Sequence, residues 1–216
     1  MKGKTYVLSD IHGNFEIFKR MLDKIQFNSH DQLYILGDIC DRGPCSLDIY
    51  FYIQKFDNIT LLKGNHEYMM QEALKEAKKA YNKLEVPVGA VIVKDGKIIA
   101  RGYNQKETKT DTTKHAEIIA IQKASQKLKS WRLLDCEMYV TLEPCSMCAG
   151  AIINSRIKKV YYGTSDNKTG AVGSVLNLFE DFTFNHKVEY EKNIMQTECE
   201  NILKQFFKEL RKNKNV

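Results

Sequence analysis

His115-Ala116-Glu117 and, thirty residues further on, Pro144-Cys145-Ser146-Met147-Cys148 are the stretches that decide the fold and chemistry of this sequence. Each opens an apolar run with helical spacing, so each is predicted to begin a helix. One imidazole and two thiolates provide three ligands, and a zinc ion held by three ligands keeps a fourth position open for water, as in catalytic zinc sites. The two stretches therefore predict one catalytic zinc ion per chain.

Glu117 is the acidic residue left over by this ligand set. Two positions past the histidine, its carboxylate can take a proton from the attacking water and return it to a departing amine. We therefore predict hydrolytic deamination, with Glu117 as the catalytic residue and His115, Cys145 and Cys148 as zinc ligands. Either stretch alone is more typical of a core histidine or of inert buried thiols. Their combination is what indicates a site.

Further motifs extend the pattern from about His66 to the C-terminus: Glu85-Val86-Pro87-Val88-Gly89-Ala90-Val91, Gly102-Tyr103-Asn104, Tyr139-Val140-Thr141-Leu142-Glu143-Pro144-Cys145, Ser155-Arg156-Ile157 and Lys168-Thr169-Gly170-Ala171-Val172-Gly173-Ser174. With the His-Ala-Glu triplet, this region resembles the bacterial tRNA-specific adenosine deaminases of the zinc cytidine and deoxycytidylate deaminase superfamily. Members of that family usually carry a proline just before the histidine, where this chain has Asp111-Thr112-Thr113-Lys114. The entrance to the pocket is therefore expected to differ.

The resemblance implies a zinc enzyme that converts adenosine to inosine at the wobble position of a tRNA anticodon loop. It also implies that the protein is a homodimer with tRNA as its partner. Asn104, Val88 and Ala116 would bind the target nucleoside, and Phe207 and Arg211 would contact the RNA. A deaminase of a free base or nucleoside is the alternative within the same chemistry.

The fold expected over residues 68–216 is a three-layer α/β domain of the cytidine deaminase type with a mixed sheet. Val88–Lys94 and Lys97–Arg101 are predicted to form a hairpin, because Asp95-Gly96 is a strong two-residue turn signal. Strands are also predicted at Met138–Leu142 and Lys159–Tyr162. Alternating strands and helices indicate helices on both faces of this sheet.

Charge favours a polyanionic partner. Residues 1–67 contain 8 Lys and Arg against 9 Asp and Glu, whereas residues 68–216 contain 25 against 18. A basic surface attracts RNA, although many basic proteins bind none. The last helix is predicted to be amphipathic, with Ile202, Leu203, Phe206, Phe207 and Leu210 on its apolar side and lysines between them. The polar loop Gly163–Ser174 is consistent either with RNA contact or with a plain surface loop.

The N-terminal third carries polar motifs after three short apolar runs, Tyr6–Leu8, Leu33–Leu36 and Ile59–Leu62. These runs predict a β-α-β-α-β unit with oxygen and imidazole ligands at strand ends, which suits a two-metal phosphoester hydrolase. The segment resembles calcineurin-like serine/threonine metallophosphatases. By that resemblance, the site would use Asp10 and His12 for one metal, Asp38 as a bridge, Asn65 for the second metal, Arg42 for phosphate and His66 as the acid.

We expect this phosphatase site to be incomplete, because the family closes it with histidines from a second half of its fold. Residues 1–67 are then a truncated metallophosphatase-like segment fused to a deaminase domain at 68–216. Two alternatives stay open, namely a working metallophosphoesterase and a docking or dimerising appendage.

Length and composition indicate a soluble globular protein. The chain has 216 residues, of which 43% are hydrophobic, and no apolar run approaches a membrane span. Its six cysteines have no spacing typical of a disulfide framework, and no signal peptide opens the sequence. We therefore expect a cytoplasmic protein without a membrane partner.

Overall fold

The computed structural model describes residues 3–9, 11, 14–37, 49, 52–62, 64–181 and 183–214. The chain divides into an N-terminal unit, Met1–Tyr68, and a C-terminal unit, Met69–Val216. Four of the predicted phosphatase residues, Asp10, His12, Asp38 and Arg42, lie outside the described residues.

The N-terminal unit contains a three-stranded parallel sheet in the order β1-β2-β3. Alternation in β2 buries Leu33 and Ile35, which pack with Phe18 and Leu22 of the first helix. All three predicted strands are present, while the metallophosphatase resemblance stays a prediction. The elements are β1 (Thr5–Leu8), α1 (Phe15–Lys24), β2 (Gln32–Leu36) and β3 (Ile59–Leu62).

Helix α2 (Asn65–Tyr81) contains the boundary between the two units in its first turn. Asn65 is exposed and His66 is partly buried, both at the start of this helix. The apolar helical pattern that begins at Ala73 continues in the sequence to Leu84, but the helix ends earlier. Leu84 has a left-handed φ of 59° and is 72% exposed, so the apolar spacing in the sequence does not place it on the buried face of the helix.

The C-terminal unit has a five-stranded mixed sheet in the order β5-β4-β6-β7-β8. Strand β4 pairs antiparallel with β5 and β6, and β6, β7 and β8 are parallel. This arrangement confirms the predicted mixed α/β sheet, including the hairpin, whose turn residues Asp95 and Gly96 both have positive φ. The strands are β4 (Gly89–Lys94), β5 (Lys97–Tyr103), β6 (Cys136–Leu142), β7 (Lys159–Thr164) and β8 (Glu189–Lys192).

Alternate residues of the central strands enter two separate cores, because side chains of a strand point to opposite faces. Ile92 and Met138 pack with α4 and α5, whereas Val91 and Tyr139 pack with α2 and α6. The sheet therefore lies between two helical layers. The remaining helices are α3 (Lys106–Lys109), α4 (Ala116–Leu128), α5 (Ser146–Asn154) and α6 (Gln196–Lys214).

Two cysteines of the C-terminal unit lie outside the candidate metal site. Cys136 and Cys199 are free thiols buried in the two cores of the C-terminal unit, as expected for packing residues. None of the described helices combines the length and the apolar character needed to span a bilayer.

Candidate metal centre and active site

Helices α4 and α5 begin close together, and their first residues carry the predicted ligands. His115 directly precedes α4, Cys145 directly precedes α5, and both have extended backbone angles. The Nδ1 atom of His115 lies 3.7 Å from Cys145 Sγ and 3.5 Å from Cys148 Sγ. The three donor atoms all lie within 4.8 Å of one another.

These distances fit a single tetrahedral ion. Bonds of about 2.3 Å from zinc to sulfur and about 2.0 Å to nitrogen, at tetrahedral angles, place the nitrogen about 3.5 Å from each sulfur. The two measured distances are 3.5 and 3.7 Å. The donor set and its spacing are therefore suited to zinc, with room for a fourth ligand.

The electrostatics of the cluster favour a thiolate. Hydrogen bonds from the Cys148 thiol and from His115 lower the pKa of Cys145 to about 4, although partial burial opposes this shift. The hydrogen bond with Cys145 in turn raises the pKa of His115. Cys148 shows the opposite shift, because its bond to Cys145 and its burial both raise its pKa.

Glu117 lies in the first turn of α4 and is only 3% exposed. Its Oε2 atom is buried and has no hydrogen-bond partner among the described residues. Burial raises its pKa, while the charge of His115 acts in the opposite direction. Buried polar atoms almost always have a partner, so this oxygen is poised for a water molecule or a substrate atom.

Backbone contacts bring together the segments that carry the predicted nucleoside-binding residues, Asn104, Val88 and Ala116. The Asn104 N–H donates to the Val88 carbonyl at 3.0 Å. A Cβ atom at Gly102 would lie 2.1 Å from the Ala116 carbonyl oxygen, so only glycine lets α4 approach β5 this closely. Ala116 as a whole residue, backbone included, is fully buried in the core of the C-terminal unit.

Glu85 is a residue of the site region whose role the sequence did not suggest. Its carboxylate is buried and accepts hydrogen bonds from the backbone N–H groups of Glu107 and Thr108, at 3.1 and 2.6 Å. It therefore holds α3, within the loop that leads to His115. In the sequence Glu85 is followed directly by the apolar residues Val86-Pro87-Val88, and an acid next to such a run is the signal that could have indicated its burial.

The predicted RNA-contacting residues are exposed on α6. Phe207 is 41% exposed and Arg211 is exposed, whereas Phe206 is buried against Tyr81, with ring centroids 5.5 Å apart. In the segment predicted as the polar loop Gly163–Ser174, β7 extends to Thr164 and residues 170–172 are buried, while residues 167–169 are exposed.

Comparison with known families places this fold and site among the deaminases. The model of one family, described as MafB19-like deaminase, matches residues 64–211. The match covers the zinc-ligand candidates, Glu117 and most of α6, and it leaves residues 1–63 outside.

Curated relatives of high sequence identity are named tRNA-specific adenosine deaminases. The tRNA-specific adenosine deaminase of Bacillus subtilis (strain 168) is 49% identical over 150 residues, which are 69% of this chain and 93% of the relative. The enzyme of the same name from Streptococcus pyogenes serotype M1 is 46% identical over 69% of this chain and 87% of the relative. The chain belongs to the tRNA-specific adenosine deaminase family.

A solved structure has the same fold. It comes from a study of A-to-I editing by tRNA:A34 deaminases at the wobble position of transfer RNA. That chain is 43% identical, superposes with a TM-score of 0.61, and is matched over 99% of its length by 63% of this chain. The deaminase fold thus accounts for the C-terminal unit.

Proposed function

We propose that this protein is a zinc-dependent hydrolase that converts adenosine to inosine at the wobble position of a tRNA anticodon loop. The observation that carries the proposal is 49% identity to a tRNA-specific adenosine deaminase over 93% of that relative. The arrangement of His115, Cys145 and Cys148 around one point supports the chemistry.

In this proposal His115, Cys145 and Cys148 hold one zinc ion per chain. Bound zinc supplies the Lewis acidity that makes water nucleophilic at neutral pH. Glu117 is the catalytic residue, which takes the proton of the attacking water and delivers it to the amine that leaves. Its buried position raises the pKa of its carboxyl, which suits a group that must both accept and return a proton.

Substrate recognition is assigned to residues at the starts of β4 and α4, at the end of β5 and on α6. Asn104 hydrogen-bonds the nucleoside, and Val88 and Ala116 bind it as well. An adenine inside a stacked loop must be flipped out to reach a pocket of this kind. Phe207 and Arg211 then stack on and neutralise the RNA outside it.

The assembly and the N-terminal unit complete the proposal. We infer a cytoplasmic homodimer whose partner is tRNA. The N-terminal unit is inferred to be a metallophosphatase-like appendage without a catalytic role. The family match begins at residue 64, and 69% of this chain already covers 93% of the Bacillus subtilis relative, which leaves that relative too little sequence for an equivalent unit. Its use as a docking element is compatible with this role.

The decisive experiment compares tRNA with free adenosine, cytidine and guanine as substrates of the purified zinc-loaded protein. We expect inosine only in tRNA, and a rate below saturation that falls steeply with added salt, because phosphate contacts release counterions. Turnover of a free nucleoside at a salt-independent rate would replace this proposal with the free-substrate alternative.

A further inference from the structure

Glu143 is a buried carboxylate to which the proposed chemistry assigns no role. It lies directly after β6 and two residues before Cys145, and it is 3% exposed. None of the ion pairs within the described part of the chain includes it. A charge buried in this way is costly unless hydrogen-bond donors surround it.

The donors come from one loop, residues 165–176. Glu143 Oε1 accepts hydrogen bonds from the backbone N–H groups of Val172 and Ser174, each at 3.0 Å. Its Oε2 atom accepts from the backbone N–H of Asp166 at 3.0 Å and from the Ser174 hydroxyl. The loop therefore curls around the carboxylate and presents its amides to it, as in backbone anion nests.

The same loop is joined to the turn that carries Cys145. The Ala171 N–H donates to the Pro144 carbonyl at 2.9 Å, and Gly170 forms an antiparallel bridge with Cys145. A Cβ atom at Gly170 would lie 2.5 Å from the Glu143 carboxylate, so glycine is required there. Hydrogen bonds therefore link the Glu143 carboxylate to the 165–176 loop, and the same loop to the turn that carries the candidate zinc ligand Cys145.

One exposed part of the loop is the segment 167–169, which contains Asn167, Lys168 and Thr169; residues 165 and 173–176 are exposed as well. The Asp166 carboxylate shapes this segment by accepting hydrogen bonds from the Lys168 N–H at 2.9 Å and the Thr169 hydroxyl at 2.5 Å. Because the next residue pairs with Cys145, the segment stands beside the metal centre. Its amide, ammonium and hydroxyl groups suit RNA phosphate and ribose oxygens.

We propose that Glu143 is a positioning residue that presets the 165–176 loop for RNA binding beside the metal centre. This inference rests on the proposed function for the identity of the ligand. A loop held rigidly in its binding conformation does not lose conformational entropy when RNA binds, and this raises affinity. Releasing the loop therefore weakens tRNA binding while the zinc ligands stay in place.

The test is Glu143→Gln in the full zinc-loaded chain. The amide keeps the size of the side chain, but it sets an N–H donor against at least one of the loop's donors. We expect faster hydrogen exchange at the amides of Asp166, Val172 and Ser174, and a KM for tRNA raised about tenfold. Zinc content and kcat should stay near their wild-type values.

The matched control is Glu76→Gln, another buried glutamate, which is bonded to Lys79 on α2. It should lower thermal stability without changing loop exchange or KM. If Glu143→Gln does not fold, Ser174→Ala removes one donor and should change exchange and KM in the same direction to a smaller degree.

Two results would overturn the inference: loop exchange and KM at wild-type values in Glu143→Gln, or loss of zinc while hydrogen exchange at the three loop amides keeps its wild-type rate. If the wild-type protein does not deaminate tRNA, the proposed function fails, while exchange at the three loop amides still decides whether Glu143 holds the loop.

Discussion

Replacing Glu117 by glutamine should destroy activity and stabilise the protein at the same time. The substitution keeps the volume of the side chain and all three candidate zinc ligands, so zinc should stay bound. It removes the proton carrier, a contribution of about 10²–10⁴-fold in rate. That factor corresponds to about 3–5 kcal/mol of transition-state free energy.

The stability change follows from the Oε2 atom of Glu117, which is buried and has no hydrogen-bond partner among the described residues. A buried acceptor without a partner costs about 1–3 kcal/mol, and more when it is charged. A neutral amide reduces this cost, so the free energy of unfolding should rise by about 1 kcal/mol in metal-free protein. For a domain of this size the melting temperature rises by about 2–4 °C.

The assays are single-turnover inosine formation in tRNA, metal analysis, and thermal unfolding in the presence of a chelator. Glu143→Gln serves as the comparison for stability, because that carboxylate accepts four hydrogen bonds and its replacement should destabilise. A Glu117→Gln protein that retains activity, or loses zinc, would refute the role assigned to the carboxylate.

Four further outcomes are expected. Cys145→Ala should abolish both zinc binding and activity, because two protein ligands hold zinc poorly, and metal analysis of the purified variant tests this. Asn104→Ala should lower turnover at wild-type zinc content, and an unchanged rate would identify it as a turn residue only. A chain that begins at Met69 should deaminate tRNA about as well as the full chain, and the full chain with manganese should not hydrolyse an aryl phosphate. Phosphate hydrolysis that disappears in Asp38→Asn would contradict this view of the N-terminal unit.

Some features of the fold were predictable because their signals are local. Asp95-Gly96 adopts the positive φ angles of a tight hairpin turn irrespective of the rest of the chain. Strand β8, in contrast, was missed, because Glu189–Lys192 is polar and has no apolar alternation. It is a strand only because β7 offers it a parallel edge, with Tyr161 paired to Glu191.

Residue types and their spacing along the chain are enough to indicate the chemistry of the candidate site. An imidazole, two thiols and a spare carboxylate at these spacings are a property of residue types, and helix starts can be read from local patterns. The distance of 3.5 Å between His115 Nδ1 and Cys148 Sγ is a result of long-range packing. It depends on the position of α4, which packs closely against β5 at Gly102. Within the described part of the chain, packing also leaves one Glu117 oxygen without a hydrogen-bond partner while it surrounds Glu143 with donors. Both are glutamates near a zinc ligand in the sequence, and their difference arises from long-range packing that local spacing does not encode.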